Sequence, residues 1–310
     1  MRKKINKKEY KASNYEAIKL LIIPVLLVIF FIIMILNDTY YILSQVILGV
    51  LFTQFFILMH EAGHNSFFKS RTANRLLGYV SGFLALVPFY SWKKIHDLHH
   101  KWTGWRDKDP NTIETIQPDM KGLKMYFVNF CWFFLIPIFS LLYRINNYWI
   151  PGKLKKYMKG FSYSKSVVNI VVQLALYLAL IFFFSSFLLT YILPGLILGL
   201  MITELIIVSQ HSHIDIPISE GKDVKRVQFE DQVQYSRSID LNPLIAKFLL
   251  FNFNMHEKHH SYPWVPAYYI SNIDIDTVNN KKFLNWFLCS KTMTGSTYLF
   301  KTTKHTGKNP

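Results

Sequence analysis

The chain has 310 residues and is 51% hydrophobic, with 26 Phe and 18 Tyr; one soluble core could serve this length, but the apolar residues fall in long uninterrupted runs that exclude it. The formal charge of +16 comes with no nucleic-acid reader motif, so it implies positive-inside topology and contact with anionic lipid, and excludes nucleic acid as a partner. The two cysteines, Cys131 and Cys289, are far apart and outside any CxxC, which excludes a disulfide framework and a thiolate metal site and leaves imidazole and carboxylate to hold any metal.

In chain order, a basic cluster comes first (Arg2, Lys3, Lys4, Lys7, Lys8, Lys11), and positive-inside topology puts it in the cytoplasm. Ile18–Leu36 then carries Lys19 as its one charge, and Tyr41–Met59 carries none. A bilayer-spanning helix needs about 20 apolar residues, so these runs predict two spans joined outside by the turn Asn37–Tyr40. The first run is longer than the roughly 7–15 residues of a signal-peptide core, and no small-x-small site follows, so it is expected to stay as a span. From Ser166 to Thr203 there are 38 residues without an acidic or basic side chain. That predicts a hairpin of two more spans, about 167–187 and 191–209.

Two shorter apolar stretches, Leu76–Tyr90 and Met125–Leu142, pose a parity problem. A full crossing by the first would export Lys93, Lys94, Lys101, Arg106 and Lys108, and one by the second would export the basic stretch Pro151–Lys159. Both are expected as in-plane or re-entrant helices on the cytoplasmic face. The expected organisation is a basic N-terminus (1–16), one membrane domain (17–270) and a polar C-terminal tail (271–310). The fold class is an all-α membrane protein of about four transmembrane helices in two hairpins. In-plane helices and a cytoplasmic helical cap would hold a His-rich di-metal site, in what is expected to be a bacterial cytoplasmic membrane.

Ten of the eleven histidines fall in four short clusters. These are His60 and His64 in HEAGH; His96, His99 and His100 in HDLHH; His211 and His213 in QHSH; and His256, His259 and His260 in HEKHH. On a helix, positions i, i+3 and i+4 share a face, so each cluster is expected to aim its imidazoles in one direction. HEAGH alone is the H-E-x-x-H signature of a zinc protease. Such a site uses three protein ligands and a water, however, and ten histidines are too many for it. The chain also lacks the LDG-like motif of membrane-embedded proteases. Eight or nine imidazoles instead suit two metal ions with a position left open on each, which favours iron and O₂ chemistry.

At these residues the sequence resembles the membrane fatty acid desaturases of the histidine-box di-iron superfamily. HEAGH, HDLHH and HEKHH stand in the family's order. HHKWTGWRDKDP (His99–Pro110) is similar to the continuation of its second box, and NFNMHEKHHSYPWVP (Asn252–Pro266) to its third. QHSH matches an additional ligand position. The resemblance implies two irons held by His60, His64, His96, His99, His100, His211, His256, His259 and His260, with His213 as a tenth candidate. Glu61, Asp97, Asp107, Asp109, Asp215 and Glu257 are candidates for holding the rings by accepting their other N–H. Glu204, the one charge in the second half of the hairpin, lies about 10.5 Å along its helix from His211; as an intramembrane carboxylate it is a functional candidate.

The implied reaction is O₂-dependent insertion of a double bond into an acyl chain carried on CoA, a carrier protein or a lipid. With no flavin, NAD or fused haem signature in the chain, electrons would come from a ferredoxin or a cytochrome b5-like donor. A lipid or carotenoid hydroxylase or ketolase on the same scaffold is the near alternative. A zinc metalloprotease and a metal transporter are the distant ones.

Overall fold

The computed structural model describes residues 5–37, 39–117 and 119–310. Arg2, Lys3 and Lys4 of the basic cluster and Asp38 of the first turn lie outside them.

Helix α1 (Asn14–Leu36) begins where Ser13 accepts a hydrogen bond from the Glu16 N–H, an N-cap that supplies one of the first-turn amides with a partner. Helix α2 (Tyr41–Gly63) returns and ends in HEAGH. Then come α3 (Arg71–Leu84), α4 (Phe89–Trp102), α5 (Gly122–Phe133), α6 (Ile138–Arg144) and the short α7 (Pro151–Leu154). Helices α8 (Gly160–Phe187) and α9 (Leu193–His211) are joined by a π-helical turn, Leu188–Ile192. The Tyr41 hydroxyl donates to the Thr190 carbonyl (2.6 Å), so this turn sits at the N-terminal end of α2, opposite the histidines. Helix α8 therefore leads away from the histidine end and α9 comes back to it.

Among the described residues three stretches are long and apolar enough to cross a membrane: Asn14–Leu36, Tyr41–Gly63 and Gly160–His211, the last containing that turn. Their outer faces are bare of polar cover, with Ile18, Ile22, Val25, Val168, Val171 and Phe182 among many exposed apolar side chains. That is the surface of a protein solvated by lipid, and the protein is an integral membrane protein. Inside, α2 and α9 pack closely. A Cβ on Gly199 would stand 2.6 Å from the Cβ of Phe52, the small-residue contact typical of membrane helix pairs.

Leu76–Tyr90, expected as one helix, is divided. Helix α3 stops at Leu84 and α4 starts at Phe89, because Pro88 has no N–H to continue the ladder. Asn169 of α8 accepts from the Tyr90 N–H (3.0 Å) at the start of α4. Met125–Leu142 is likewise broken, by Pro137, and α5 meets the run Ile138–Trp149 at 114°. This bent pair is docked by Glu204, whose carboxylate accepts from the Ser140 N–H in the first turn of α6 (2.7 Å). Glu204 thus serves as a helix cap supplied by a neighbouring span and does not reach the histidines.

Beyond α9 the chain runs through β1 (Ile239–Asp240), α10 (His256–Ser261) and α11 (Ala267–Ile270), then β2 (Lys281–Lys282), α12 (Phe283–Lys291), α13 (Gly295–Phe300) and α14 (Thr303–Thr306). Residues 271–310, set apart above as a polar tail, are packed onto the rest. Strand β2 pairs in parallel with β1, and Trp286 and Tyr298 are fully buried. The Tyr298 hydroxyl donates to the Val208 carbonyl of α9 (2.9 Å).

Candidate metal centre

Helices α2, α4, α9 and α10 converge so that nine histidines form two adjoining groups. His60, His64, His96, His100 and His259 make one; His99, His211, His256 and His260 make the other. Within each group one ring nitrogen per residue lies within 4.8 Å of all the rest. These are the nine histidines expected from the sequence. Their division differs from the expectation that each cluster aims one way. In HDLHH the i, i+4 pair His96 and His100 enters the five-histidine group, while His99 turns into the other. HEKHH mirrors this: His256 and His260 enter the four-histidine group and His259 crosses over. Residues i and i+3 are displaced by about 60° round a helix of 3.6 residues per turn, enough to reach two adjacent centres.

Local packing holds the helices in this arrangement. At Gly63 a Cβ would stand 2.4 Å from Cζ3 of Trp92, so glycine lets the indole slide under the end of α2. Trp92 there stacks on His96 at 4.4 Å and meets His60 edge-on at 5.6 Å. The ammonium of Lys93 donates to the Gly63 carbonyl, satisfying the end of α2. Arg237, fully buried, donates to the carbonyls of Ser209 (2.8 Å) and Ser212 (3.0 Å), which fixes the end of α9 around His211.

Four rings have Nδ1 committed to an acceptor. His99 donates to Asp109 (2.7 Å), His60 to Glu61 (3.2 Å), His211 to the Tyr235 carbonyl (3.2 Å) and His260 to Oε1 of Gln232 (2.9 Å). The amide of Gln232 is oriented by its Nε2, which donates to the His100 carbonyl (2.8 Å). A neutral imidazole donating from Nδ1 keeps a bare lone pair on Nε2. His211 and His260 nevertheless bring their Nε2 atoms to 3.2 Å, with no hydrogen left to place between them. Burial first, then repulsion from neighbouring imidazolium charge, holds His96, His100, His256 and His260 well below the usual histidine range; burial does the same for His259. Neutral rings facing each other through lone pairs repel unless a cation stands between them.

The spacing fits a metal. An imidazole–metal bond is about 2.0–2.1 Å, so two nitrogens at right angles round one ion stand about 3 Å apart, and at the tetrahedral angle about 3.4 Å. The Nε2 pairs His64–His96, His96–His100, His100–His259, His211–His256, His256–His260 and His211–His260 measure 3.0, 3.0, 3.1, 2.8, 3.0 and 3.2 Å. They match the right-angled case, and five imidazoles exceed a tetrahedral shell. Glu61 is not free to act as a hydrolytic base, since it accepts from His60 and from the Ala267 N–H (2.9 Å).

Of the other candidates, Asp109 and Glu61 reach a ring and the rest do not. Asp97 is half-exposed and pairs with Lys93 (3.6 Å). Asp107 accepts from the Ser219 N–H (2.8 Å), and Asp215 from the Lys304 N–H (2.8 Å). Glu257 accepts from the Ser238 N–H (3.2 Å) and from those of Val278 (2.7 Å) and Asn279 (2.8 Å). His213 stands outside both groups, stacked on Tyr298 at 5.7 Å and bonded to the Thr306 hydroxyl (2.7 Å).

Sequence reasoning missed Gln232 and the Tyr235 carbonyl, both on the 3₁₀ turn Phe229–Tyr235. Gln232→Leu is expected to lower metal affinity about 10–100-fold, the usual effect of removing a partner that orients a ligand. Competition with a chelator measures this; an unchanged titration for the Leu variant would contradict it.

Comparison with known proteins agrees with this centre. The family profile described as Fatty acid desaturase matches residues 39–275. A Delta(12) fatty acid desaturase of Mortierella isabellina is 43% identical over 61 residues, 20% of this chain and 15% of that protein. An sn-1 acyl-lipid omega-3 desaturase (ferredoxin) of Synechocystis is 40% identical over 70 residues, 23% of this chain and 20% of that protein. A fatty acid desaturase of Bacillus subtilis is 36% identical over 74 residues, 23% of this chain and 21% of that protein. The chain thus spans about a fifth or less of the length of these relatives. The profile, by contrast, takes in all four histidine clusters and most of the chain, and on that ground the protein belongs to the fatty acid desaturase family.

Proposed function

We propose that the protein is an O₂-dependent di-iron desaturase that introduces a C=C bond into an acyl chain. The observation that carries this reading is the pair of interlocked imidazole groups, with the bare lone pairs of His211 and His260 facing each other at 3.2 Å. The five- and four-histidine groups would each hold one iron. O₂-dependent removal of hydrogen from unactivated carbons, which side chains cannot perform, is what iron supplies when bound. Two hydrogens leave the chain, two electrons and two protons arrive from a donor and solvent, and O₂ ends as water.

The chain's own residues would orient and enclose. Asp109, Glu61, Gln232 and the Tyr235 carbonyl hold four rings in the tautomer that binds through Nε2. An apolar cavity of about 250 Å³ between α2, α9 and residues 239–254 has the lining that part of an alkyl chain would need. The N-terminus and all histidine clusters would face the cytoplasm of a bacterial cell, as the positive-inside bias requires. An outside donor, a ferredoxin or cytochrome b5-like protein, would dock on basic surface such as that formed by exposed Lys101, Lys225 and Arg226. Trp105, just beyond α4, donates to the Lys225 carbonyl (2.9 Å) and joins the two segments.

Expression in a host of simple lipid profile, followed by fatty-acid analysis, tests the reading. New components lacking two hydrogens relative to their saturated parents are expected. Components gaining one oxygen, with no new alkene, would favour the hydroxylase instead.

A further inference from the structure

Helix α8 carries no histidine, yet it bears one polar stripe. Ser162, Ser166, Asn169, Gln173 and Tyr177 follow one another at steps of four, three, four and four, which puts them on one helical face. Its other faces expose apolar side chains such as Val168, Val171 and Leu176. All five polar residues serve the corner where α3 ends and α4 begins. Ser162 shares a hydrogen bond with the Tyr90 hydroxyl (3.3 Å), and Ser166 shares one with the Ser91 hydroxyl. Asn169 accepts from the Tyr90 N–H (3.0 Å). Gln173 donates to the Gly82 carbonyl (3.5 Å) and to the Tyr177 hydroxyl (2.7 Å), which donates to the Phe83 carbonyl (2.5 Å). From the other side Arg144 donates to the Ala85 carbonyl, and Trp149 to that of Leu86 (3.1 Å).

The corner needs these partners. A helix that stops leaves carbonyls without acceptor duty inside it. Leu86 also stands at φ 57°, a left-handed conformation that favours glycine and persists in leucine only where the surroundings hold it. Pro88, at the N-cap of α4, makes no side-chain cap, so Asn169 supplies the acceptor from the neighbouring helix. Holds on two successive residues, Tyr90 and Ser91, lie about 100° apart round α4 and fix its rotation about its own axis, where a single hold would leave it free to turn. That rotation is what sends His96 and His100 to one group and His99 to the other. At the outer radius of a helix, about 5–6 Å, a turn of about 10° carries a ring nitrogen about 1 Å.

We propose that Asn169 is a positioning residue for the metal centre: with Ser166 it sets the rotation of α4, and so the aim of His96, His99 and His100, from a helix that itself holds no metal. This rests on the di-iron part of the desaturase reading, but it is read on bound metal without turnover. The iron-loaded full chain is compared in nanodiscs with four variants. Asn169→Ala removes the acceptor, Asn169→Asp keeps it, and Ser166→Ala, the milder change, removes the second hold. Gln45→Ala is the control. Gln45 is buried near the start of α2, at the end away from His60, and accepts from the Gly195 N–H (2.9 Å) near the start of α9, so this variant removes a cap of the same kind elsewhere in the membrane.

Asn169→Ala is expected to weaken iron binding about tenfold in competition with a chelator, the lower end of the range for losing a group that orients a ligand. It should also shift the Mössbauer signals of both irons, because α4 supplies histidines to both groups. Ser166→Ala should shift the signals in the same sense with a smaller loss of affinity. Asn169→Asp should restore the parent's affinity and signals. Gln45→Ala is expected to lower the melting temperature and leave the iron as it is in the parent. Parent affinity and signals in either Asn169→Ala or Ser166→Ala would overturn the proposal. So would an Asn169→Asp protein no better than Asn169→Ala, or the same loss of iron in Gln45→Ala. Failure to find an alkene product would leave these iron measurements standing and count against the desaturase reading alone.

Discussion

Removing the chain beyond residue 276 is expected to cost the protein its metal, although all nine histidines of the two groups remain. The removed segment clasps the elements that aim two of them. The side-chain amide of Asn279 donates to the carbonyls of Val233 (3.2 Å), Gln234 (3.1 Å) and Ser236 (3.1 Å), the turn that supplies Gln232 to His260 and the Tyr235 carbonyl to His211. Glu257, buried inside HEKHH, takes two of its three backbone partners from Val278 and Asn279. Loss of those donors would leave a buried carboxylate short of partners, which costs more than the bonds themselves contribute. Trp286 and Tyr298, bonded to each other at 2.9 Å, close the arrangement against α9. Trp286→Ala alone is expected to destabilise by about 3–5 kcal/mol, the usual range for a buried tryptophan. Iron per chain and thermal unfolding in detergent measure both variants; full iron retention by the truncated chain would contradict the account.

A single methyl group at Gly63 is expected to do comparable damage to function. In Gly63→Ala the new Cβ would lie 2.4 Å from Cζ3 and 3.1 Å from Cη2 of Trp92, and the indole is buried with His96 on its face and His60 at its edge. Overpacking of this kind costs about 1–3 kcal/mol. The larger effect is on two imidazoles of the five-histidine group, since misplacement by an ångström lowers a rate about a hundredfold. Product formation is expected to fall by about that factor, with iron lost from that group. Trp92→Phe, which removes the six-membered edge of the indole, should partly restore iron to the Gly63→Ala chain. A Gly63→Ala protein with the parent's iron and rate would contradict the packing argument.

The long uncharged runs made the spans legible, and their ends moved by only a few residues, apart from α8, which starts at Gly160. The break of Leu76–Tyr90 was legible at Pro88, which an apolar-run reading passes over. Spacing and topology made the four histidine clusters legible as one meeting place, while the choice of nine of their ten histidines came from the family resemblance. Their division into two groups was not legible, since that depends on how α4 and α10 are rotated against each other. The carboxylates were the least legible. Asp97 follows His96 by one residue, but that is about 100° round the helix, and it points to Lys93 and solvent. Asp109, ten residues from His99, is the one that reaches its ring. Gln232 lies in a stretch without periodicity, where nothing local marks a residue as the partner of a histidine 28 positions away.

The central claim, two metal ions in two distinct imidazole groups, is tested most directly by counting metal in the purified full chain and in two variants. His64 and His211 are the least buried member of each group, so replacing either by Ala disturbs packing least. Elemental analysis is expected to find two irons per chain in the parent protein and about one in each of His64→Ala and His211→Ala. Mössbauer spectra of the two variants should keep different iron signals. One tightly bound zinc per chain in the parent, or two irons retained in both variants, would contradict the claim.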